Sequence, residues 1–303
     1  MRRDPACEPC VLDDLSAVLE LLGTVPAQRL AIVGQARAQL AATWSKNRIP
    51  GEHIADAHRL LKRALGLPHP FREARQRANQ VGLELAAQAA RDAPAGDDRA
   101  RLGWLVRWAI SGNLLDFRIC GYDLDAATVA RLLRQTFDEG LAIDEVDRLL
   151  EAARGAREIL YIHDNVGEVA FDKELIRELL RLAPGARVTS ALRGDVMTSD
   201  ATVDDGRAVG LAEVAQIIAS GPDTLGISFA EMTDQMRAAI ARADLVISKG
   251  QANFYVMDER PREVPAPIMC LLRTKCMVVS RHLGFDRIVN VAKWLTPPPA
   301  SVY

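Results

Sequence analysis

The chain reads as an α/β protein in which a helical bundle is followed by a parallel sheet covered by helices on both faces. Three observations predict this. From Asp13 to about Ala156, apolar residues recur at helical spacing with no strand candidate among them. After Glu158, short apolar runs alternate with helical stretches, the pattern of successive β–α–β units. Polar clusters around Asp164, Asp200 and Lys249 each follow one of those runs, where open parallel sheets place their ligand crevice. The expected division is residues 1–156 for a helical domain and 157–303 for the α/β domain that carries the site.

With 303 residues the chain can bury a substantial core, and 49% hydrophobic and 26% charged residues are ordinary for a globular protein. A net charge of -2 offers no basic surface for a phosphate backbone, so nucleic acid is not an expected partner. No apolar run approaches the roughly 18 residues of a spanning helix. The opening MRRDPACEPC is too polar for a signal peptide, so no membrane association and a cytoplasmic location are expected. Five cysteines in a long chain without a secretion signal argue against a disulfide framework and for thiols or metal ligands.

In chain order, Cys7-Glu-Pro-Cys10 can bring two sulfurs to one soft metal, with a distant residue such as Cys276 completing the site. The same residues are equally two thiols at a helix start. Leu15, Val18, Leu19 and Leu22 share one helical face, and Leu30, Val33, Ala36, Leu40 and Trp44 another. Ile54, Leu60, Leu61 and Leu65 continue the pattern until Gly66 and Pro68 stop it. Pro70 opens a long helix through Arg75, Asn79 and Leu83. After the loop APAGDD, a helix with Leu102, Leu105, Trp108 and Ile110 runs into SGNLLDF, and Asp125 and Asp144 read as N-caps of further helices. Strands are expected at Glu158–His163, Arg187–Leu192, Leu225–Ser228, Asp244–Ser248 and Pro267–Leu272, with a last one at Ile288–Val291. Helices are expected between them at Lys173–Leu182, Leu211–Ile218 and Thr233–Ala243.

The run Ile159-Leu160-Tyr161-Ile162 ends on His163-Asp164-Asn165 and places a carboxylate beside a carboxamide at a strand tip. Two oxygen donors there suit a hard divalent cation such as Mg²⁺ or Mn²⁺, or else close an Asx turn. Asp172 reads as the cap of the next helix. Asp200, Asp204 and Asp205 bring further carboxylates, one of which can complete a three-oxygen metal site while Arg193 steadies an anion. The same acids also serve as helix caps. In Ser248-Lys249-Gly250-Gln251-Ala252-Asn253, the lysine offers a point charge to a phosphate, the glycine admits close backbone approach, and the amides donate hydrogen bonds. Neither GxxxxGK nor GxGxxG occurs.

The segments DNVGEVAFD, RG…SDATVDD and SKGQANF, with GNLLDF at Gly112–Phe117 and LLRTKC at Leu271–Cys276, resemble the DUF89 family of metal-dependent damage-control phosphatases. The likeness covers nearly the whole chain, and the CxxC is similar to that of the family's small microbial branch. It implies a three-layer α/β/α Rossmann-like domain preceded by a helical-bundle domain. By the same resemblance Asp164 and Asn165 are the metal-binding pair, Asp205 is the third ligand and Lys249 contacts phosphate; these four form the catalytic set, Asp164 as ligand or nucleophile. Arg193, Asn253, Asn113 and Asp116 are the further expected phosphate or substrate contacts, the last two from GNLLDF at the mouth of the site. Departures from the family pattern are Ser199 for Asn, Tyr255 for Glu and Arg75 for Lys.

The implied activity is hydrolysis of a small phosphomonoester (sugar phosphate, nucleotide or phosphopantetheine-like) using Mn²⁺, Mg²⁺, Co²⁺ or Ni²⁺. Val166 stands where haloacid-dehalogenase phosphatases carry the second acid of DxD, which points to attack by water. The rival classes are an S-adenosylmethionine-dependent carboxyl methyltransferase and a non-catalytic metal- or metabolite-binding protein.

Overall fold

The computed structural model of the chain describes residues 4–45, 48–117 and 126–298. Its helices are α1 (Cys7–Leu21), α2 (Pro26–Thr43), α3 (Pro50–Leu65), α4 (Arg72–Arg91), α5 (Asp98–Ser111), α6 (Ala126–Asp138), α7 (Val146–Gly155), α8 (Glu168–Leu182), α9 (Val203–Ala208), α10 (Asp234–Arg242), α11 (Gly250–Glu259) and α12 (Met277–His282). Among the described residues seven strands form one sheet in the order β1-β7-β6-β5-β2-β3-β4. They are β1 (Ile143–Asp144), β2 (Glu158–Ile162), β3 (Arg187–Leu192), β4 (Gln216–Ala219), β5 (Leu245–Lys249), β6 (Ile268–Arg273) and β7 (Asn290–Thr296). None of the described helices is long and apolar enough to cross a membrane.

The strands are apolar at successive positions because both faces of the sheet are covered. Ile159, Tyr161, Leu245, Ile247, Met269 and Leu271 enter one core, while Leu160, Ile162, Val246, Ile268, Cys270 and Leu272 enter the other. The first core also takes Leu15, Leu61, Ala78, Leu105, Leu149 and Leu175, so the helices before residue 157 supply much of one layer. The second takes Met236 and Ile240 of α10 and Phe254 and Met257 of α11. Helices α4 and α5 both pack on α8. The α4 approach is close enough that a Cβ on Gly82 would stand 2.4 Å from the Gly167 carbonyl oxygen.

The sheet positions the site through its topology. From β2 the chain steps outward to β3 and β4, then returns to β5 on the other side of β2 and moves away through β6 and β7. Strand order therefore reverses between β2 and β5, and a crevice opens at their carboxyl ends. His163-Asp164-Asn165 leaves one of those ends, and Lys249-Gly250 leaves the other.

Several elements differ from expectation. The two-residue strand Ile143–Asp144 lies before Glu158; it is too short to show alternation and exists by pairing with β7. Strand β7 runs antiparallel to β6, so the sheet is mostly rather than wholly parallel. Leu211–Ile218 is expected as a helix, but Leu211–Glu213 is one 3₁₀ turn and Gln216–Ala219 pairs with β3. An apolar run such as Gln216-Ile-Ile-Ala is ambiguous by periodicity, and edge pairing decides it. Leu225–Ser228 is not a strand: it passes over the start of α11, where Ile227 N–H donates to Asn253 Oδ1 at 2.9 Å. Asp172 is not a cap but an interior, fully buried residue of α8. The proposed cap at Asp125 lies outside the described residues.

Candidate active site

Asp164 emerges from β2 with only 4% of its surface exposed. Its Oδ2 accepts from Asn165 Nδ2 at 2.7 Å and from Asn113 Nδ2 at 3.0 Å. Behind it lies Gly250, where φ is +78° and where a Cβ would fall 2.0 Å from Asp164 Oδ2. That position must be glycine on both counts, conformation and space. Helix α11 begins there, so its free N–H groups point towards the crevice. Burial raises the Asp164 pKa to about 7; Lys275 opposes the rise, and the charges of Glu168 and Asp200 add to it.

The segment from Met197 to Asp205 closes over Asp164. Ala201 N–H donates to the Asp164 carbonyl at 2.7 Å, and Val166 N–H donates to the Ser199 carbonyl at 2.8 Å. Asn165 faces Asp200 across a short antiparallel bridge. Ser199 Oγ donates to Asn165 Oδ1 at 3.1 Å and orients the amide. The preceding Thr198 has φ +43°, a left-handed conformation uncommon for a branched residue.

Among the three acids of this segment, Asp200 rather than Asp205 stands at the crevice. Asp205 forms a capping box with Thr202, pairs with Arg75 and accepts from Asn79 Nδ2 at 2.8 Å. Asn79 Oδ1 in turn accepts from Gly167 N–H at 2.8 Å. Asp205 therefore ties α9 to α4 and does not turn towards Asp164. Arg75 also donates to the carbonyls of Thr198 and Asp200, which holds the loop in place.

Lys249 is wholly buried and turned away from solvent. Its Nζ donates to Glu168 Oε1 and Asp172 Oδ1, each at 2.6 Å, and to the Ala109 carbonyl at 3.0 Å. Burial alone would lower its pKa, but Asp172 and Glu168 outweigh it and raise the pKa. All three ammonium protons are satisfied inside the protein. Lys249 reaches the site through Glu168, whose Oε2 accepts from Asn165 Nδ2 at 3.1 Å and Asn113 Nδ2 at 3.2 Å. Asp172 is completed by Tyr161 Oη and His163 Nδ1, each at 2.8 Å; burial raises its pKa, but Lys249 and then His163 outweigh that and lower it.

Two further expected phosphate contacts are also occupied elsewhere. Arg193, 1% exposed, donates through Nε to Asp200 Oδ2 at 3.0 Å and through its other nitrogens to Ser220 and Asn253 at 3.3 Å. Asn253 donates to the carbonyls of His163 and Lys249 and accepts from Arg193 and Ile227. Both fix the crevice wall instead of lining it. Asn113 does reach Asp164, and Asp116 accepts from Lys275 Nζ at 3.1 Å, which brings that lysine to the mouth.

Cys7 and Cys10 open α1, and Cys276 precedes α12 with its sulfur 3.5 Å from Gln251 Nε2. Burial, then Asp14, Cys276 and Cys7, raise the Cys10 pKa, so the three thiols lie within electrostatic reach of one another. Among the described residues, however, no three His, Cys, Asp or Glu side chains group closely enough to hold an ion. The donor set that fits a hard cation is mixed: the carboxylates of Asp164 and Asp200 with the amide oxygens of Asn165 and Asn113. Asn113 Oδ1 is buried without a hydrogen-bond partner among the described residues, and burial with the nearby charges of Glu168 and Asp200 raises the Asp164 pKa, which a bound cation would offset.

Sequence reasoning missed Glu168, Asp200 as the acid of choice, and the Arg75–Asn79 brace. For Glu168 a signal existed: it lies four residues before Asp172, and both fall on the face defined by Leu175 and Ile176. Two acids on a buried helix face call for a buried cation, and Lys249 is that cation.

Similar proteins identify the family. A family model described as the damage-control phosphatase ARMT1-like domain matches residues 4–291. A damage-control phosphatase of Archaeoglobus fulgidus is 29% identical over 294 residues, covering 97% of this chain and 99% of the relative. One from Pyrococcus horikoshii is 30% identical over 281 residues, covering 91% and 92%. The crystal structure of a DUF89 family protein from Pyrococcus horikoshii superposes with a TM-score of 0.86 at 26% identity, covering 98% of this chain and 100% of that one. A shared fold over nearly the full length of each relative, together with the family match, makes this chain a member of the ARMT1-like (DUF89) family of damage-control phosphatases.

Proposed function

We propose that the protein is a metal-dependent phosphatase that hydrolyses a small phosphomonoester at the crevice between β2 and β5. Asp164 carries this reading: a buried carboxylate with its pKa raised to about 7, set between two asparagine amides and beside a second acid at the sheet's switch point. Asp164, Asp200, Asn165 and Asn113 would hold a divalent ion, Mn²⁺, Mg²⁺, Co²⁺ or Ni²⁺. When bound, such an ion supplies positive charge to phosphoryl oxygens and lowers the pKa of a nearby water. The chain's own residues do the positioning. The start of α11 aims N–H groups at an anion, and Lys275, paired with Asp116 and electrostatically felt by Asp164, contributes the charge first expected of Lys249. The relatives named damage-control phosphatases support the same activity.

Phosphate release from p-nitrophenyl phosphate and from a panel of sugar phosphates, nucleotides and phosphopantetheine compounds tests this, with each metal and after chelation. Activity restored by metal and lost in a folded Asp164→Asn variant is the expected result. Undiminished turnover in that variant, or in chelated protein, would sink the assignment.

A further inference from the structure

Two carboxylates and two asparagine amides meet in a closed pattern at the base of the crevice. Glu168 Oε2 accepts from Asn165 Nδ2 at 3.1 Å and from Asn113 Nδ2 at 3.2 Å, and Asp164 Oδ2 accepts from the same two nitrogens at 2.7 and 3.0 Å. Each amide nitrogen carries two protons, so the two acceptors use all four. The amide oxygens then face the other way. Asn165 Oδ1 accepts from Ser199 Oγ at 3.1 Å, which leaves it a free lone pair, and Asn113 Oδ1 is buried with no hydrogen-bond partner among the described residues.

Glu168 is held in this arrangement by its other oxygen. Its Oε1 takes the Lys249 ammonium at 2.6 Å, with the two residues at 1% and 0% exposure. A side chain at position 168 therefore has to offer an acceptor on two sides, to a buried cation and to two N–H donors, which an ionised carboxylate does. Glutamine has the same shape but offers an acceptor on one side alone. Lys249 claims that oxygen, and the glutamine NH₂ is left against two other NH₂ groups.

We propose that Glu168 is a positioning residue: its Oε2 turns the amides of Asn113 and Asn165 so that both oxygens are presented to the divalent ion. The inference rests on the metal-dependent reading above and gives Glu168 a part in it without contact with ion or substrate. When an ion draws on Asp164, Glu168 is the acceptor that still holds both nitrogens.

Mn²⁺ affinity, measured by titration calorimetry, tests this without reference to turnover. Glu168→Gln should bind Mn²⁺ at least about tenfold more weakly than wild type, as follows from losing a group that orients metal ligands. Glu168→Ala removes the same charge but leaves room for water, which can accept from both amides, so it should bind at least about threefold more tightly than Glu168→Gln. A role in charge or packing alone predicts the opposite order, since Gln fills the space and Ala does not. Wild-type affinity in folded Glu168→Gln, or Glu168→Ala binding no more tightly than Glu168→Gln, overturns the proposal. A crystal structure of the wild-type protein with Mn²⁺ carries the test if a variant fails to fold: both amide oxygens should lie within about 2.5 Å of the ion. An ion seated with either oxygen turned away overturns the proposal and leaves the metal-dependent reading in place. Wild-type protein that binds none of Mn²⁺, Mg²⁺, Co²⁺ or Ni²⁺ overturns both.

Discussion

Replacing Lys249 by Met removes a cation with 0% exposure that donates to two buried carboxylates at 2.6 Å and to a carbonyl at 3.0 Å. Glu168 and Asp172, at 1% and 0% exposure, would be left as buried anions without their shared counter-charge. Breaking a buried pair from one side costs about 3–5 kcal/mol. The lower part of that range applies here, because Asp172 keeps Tyr161 and His163, and Glu168 keeps the amides of Asn113 and Asn165. In a chain of this size each kcal/mol shifts Tm by about 2–4 °C, so Lys249→Met should melt on the order of 10 °C below wild type. Circular dichroism during heating measures this. The triple variant Lys249→Met, Glu168→Gln, Asp172→Asn removes all three charges and should recover at least about half of the loss. A Lys249→Met protein melting within about 2 °C of wild type, or a triple variant less stable than the single one, would show that Lys249 is not the counter-charge of this network.

Gly250→Ala forces a Cβ to within 2.0 Å of Asp164 Oδ2 at φ +78° and should reduce phosphate release at least about a hundredfold, since misplacement of a reacting group by an ångström costs that much. Near-normal turnover would show that the Asp164 carboxylate is not held against α11. Asp200→Asn should weaken Mn²⁺ binding, measured by titration calorimetry, at least about tenfold, and Asp205→Asn should weaken it less. The reverse order would return the ligand role to Asp205. Gly82→Ala inserts a methyl 2.4 Å from the Gly167 carbonyl and should lower stability by about 1–3 kcal/mol, read from the urea midpoint. A midpoint equal to wild type would mean that α4 can move away from the β2–α8 turn without loss.

Much of the fold was legible because its code is local. Helical spacing located the helices before residue 157, and β2, β3, β5 and β6 lie within a residue or two of their expected bounds. The strands that were misread, β1 and β4, lie at the two edges of the sheet, where two to four residues carry little pattern and pairing supplies the decision. A last strand at Ile288–Val291 is expected and overlaps β7, but its antiparallel direction and its run to Thr296 were not legible, since an apolar run does not record strand direction.

At the site, residue types and their order along the chain already pointed to Asp164, Asn165 and the glycine after Lys249, because strand tips and close backbone approach leave marks in the sequence. Which carboxylate meets Asp164, and whether a lysine faces ligand or core, depends on partners far away in sequence. Arg75 and Asn79 take Asp205; Glu168 and Asp172 take Lys249; Arg193 fixes Asp200. Buried charges must find counter-charges within a few ångströms, and only the packed chain determines which groups stand that close. The chemistry available to this protein was thus set by composition and local order, while its allocation between bracing and binding was set by tertiary contact.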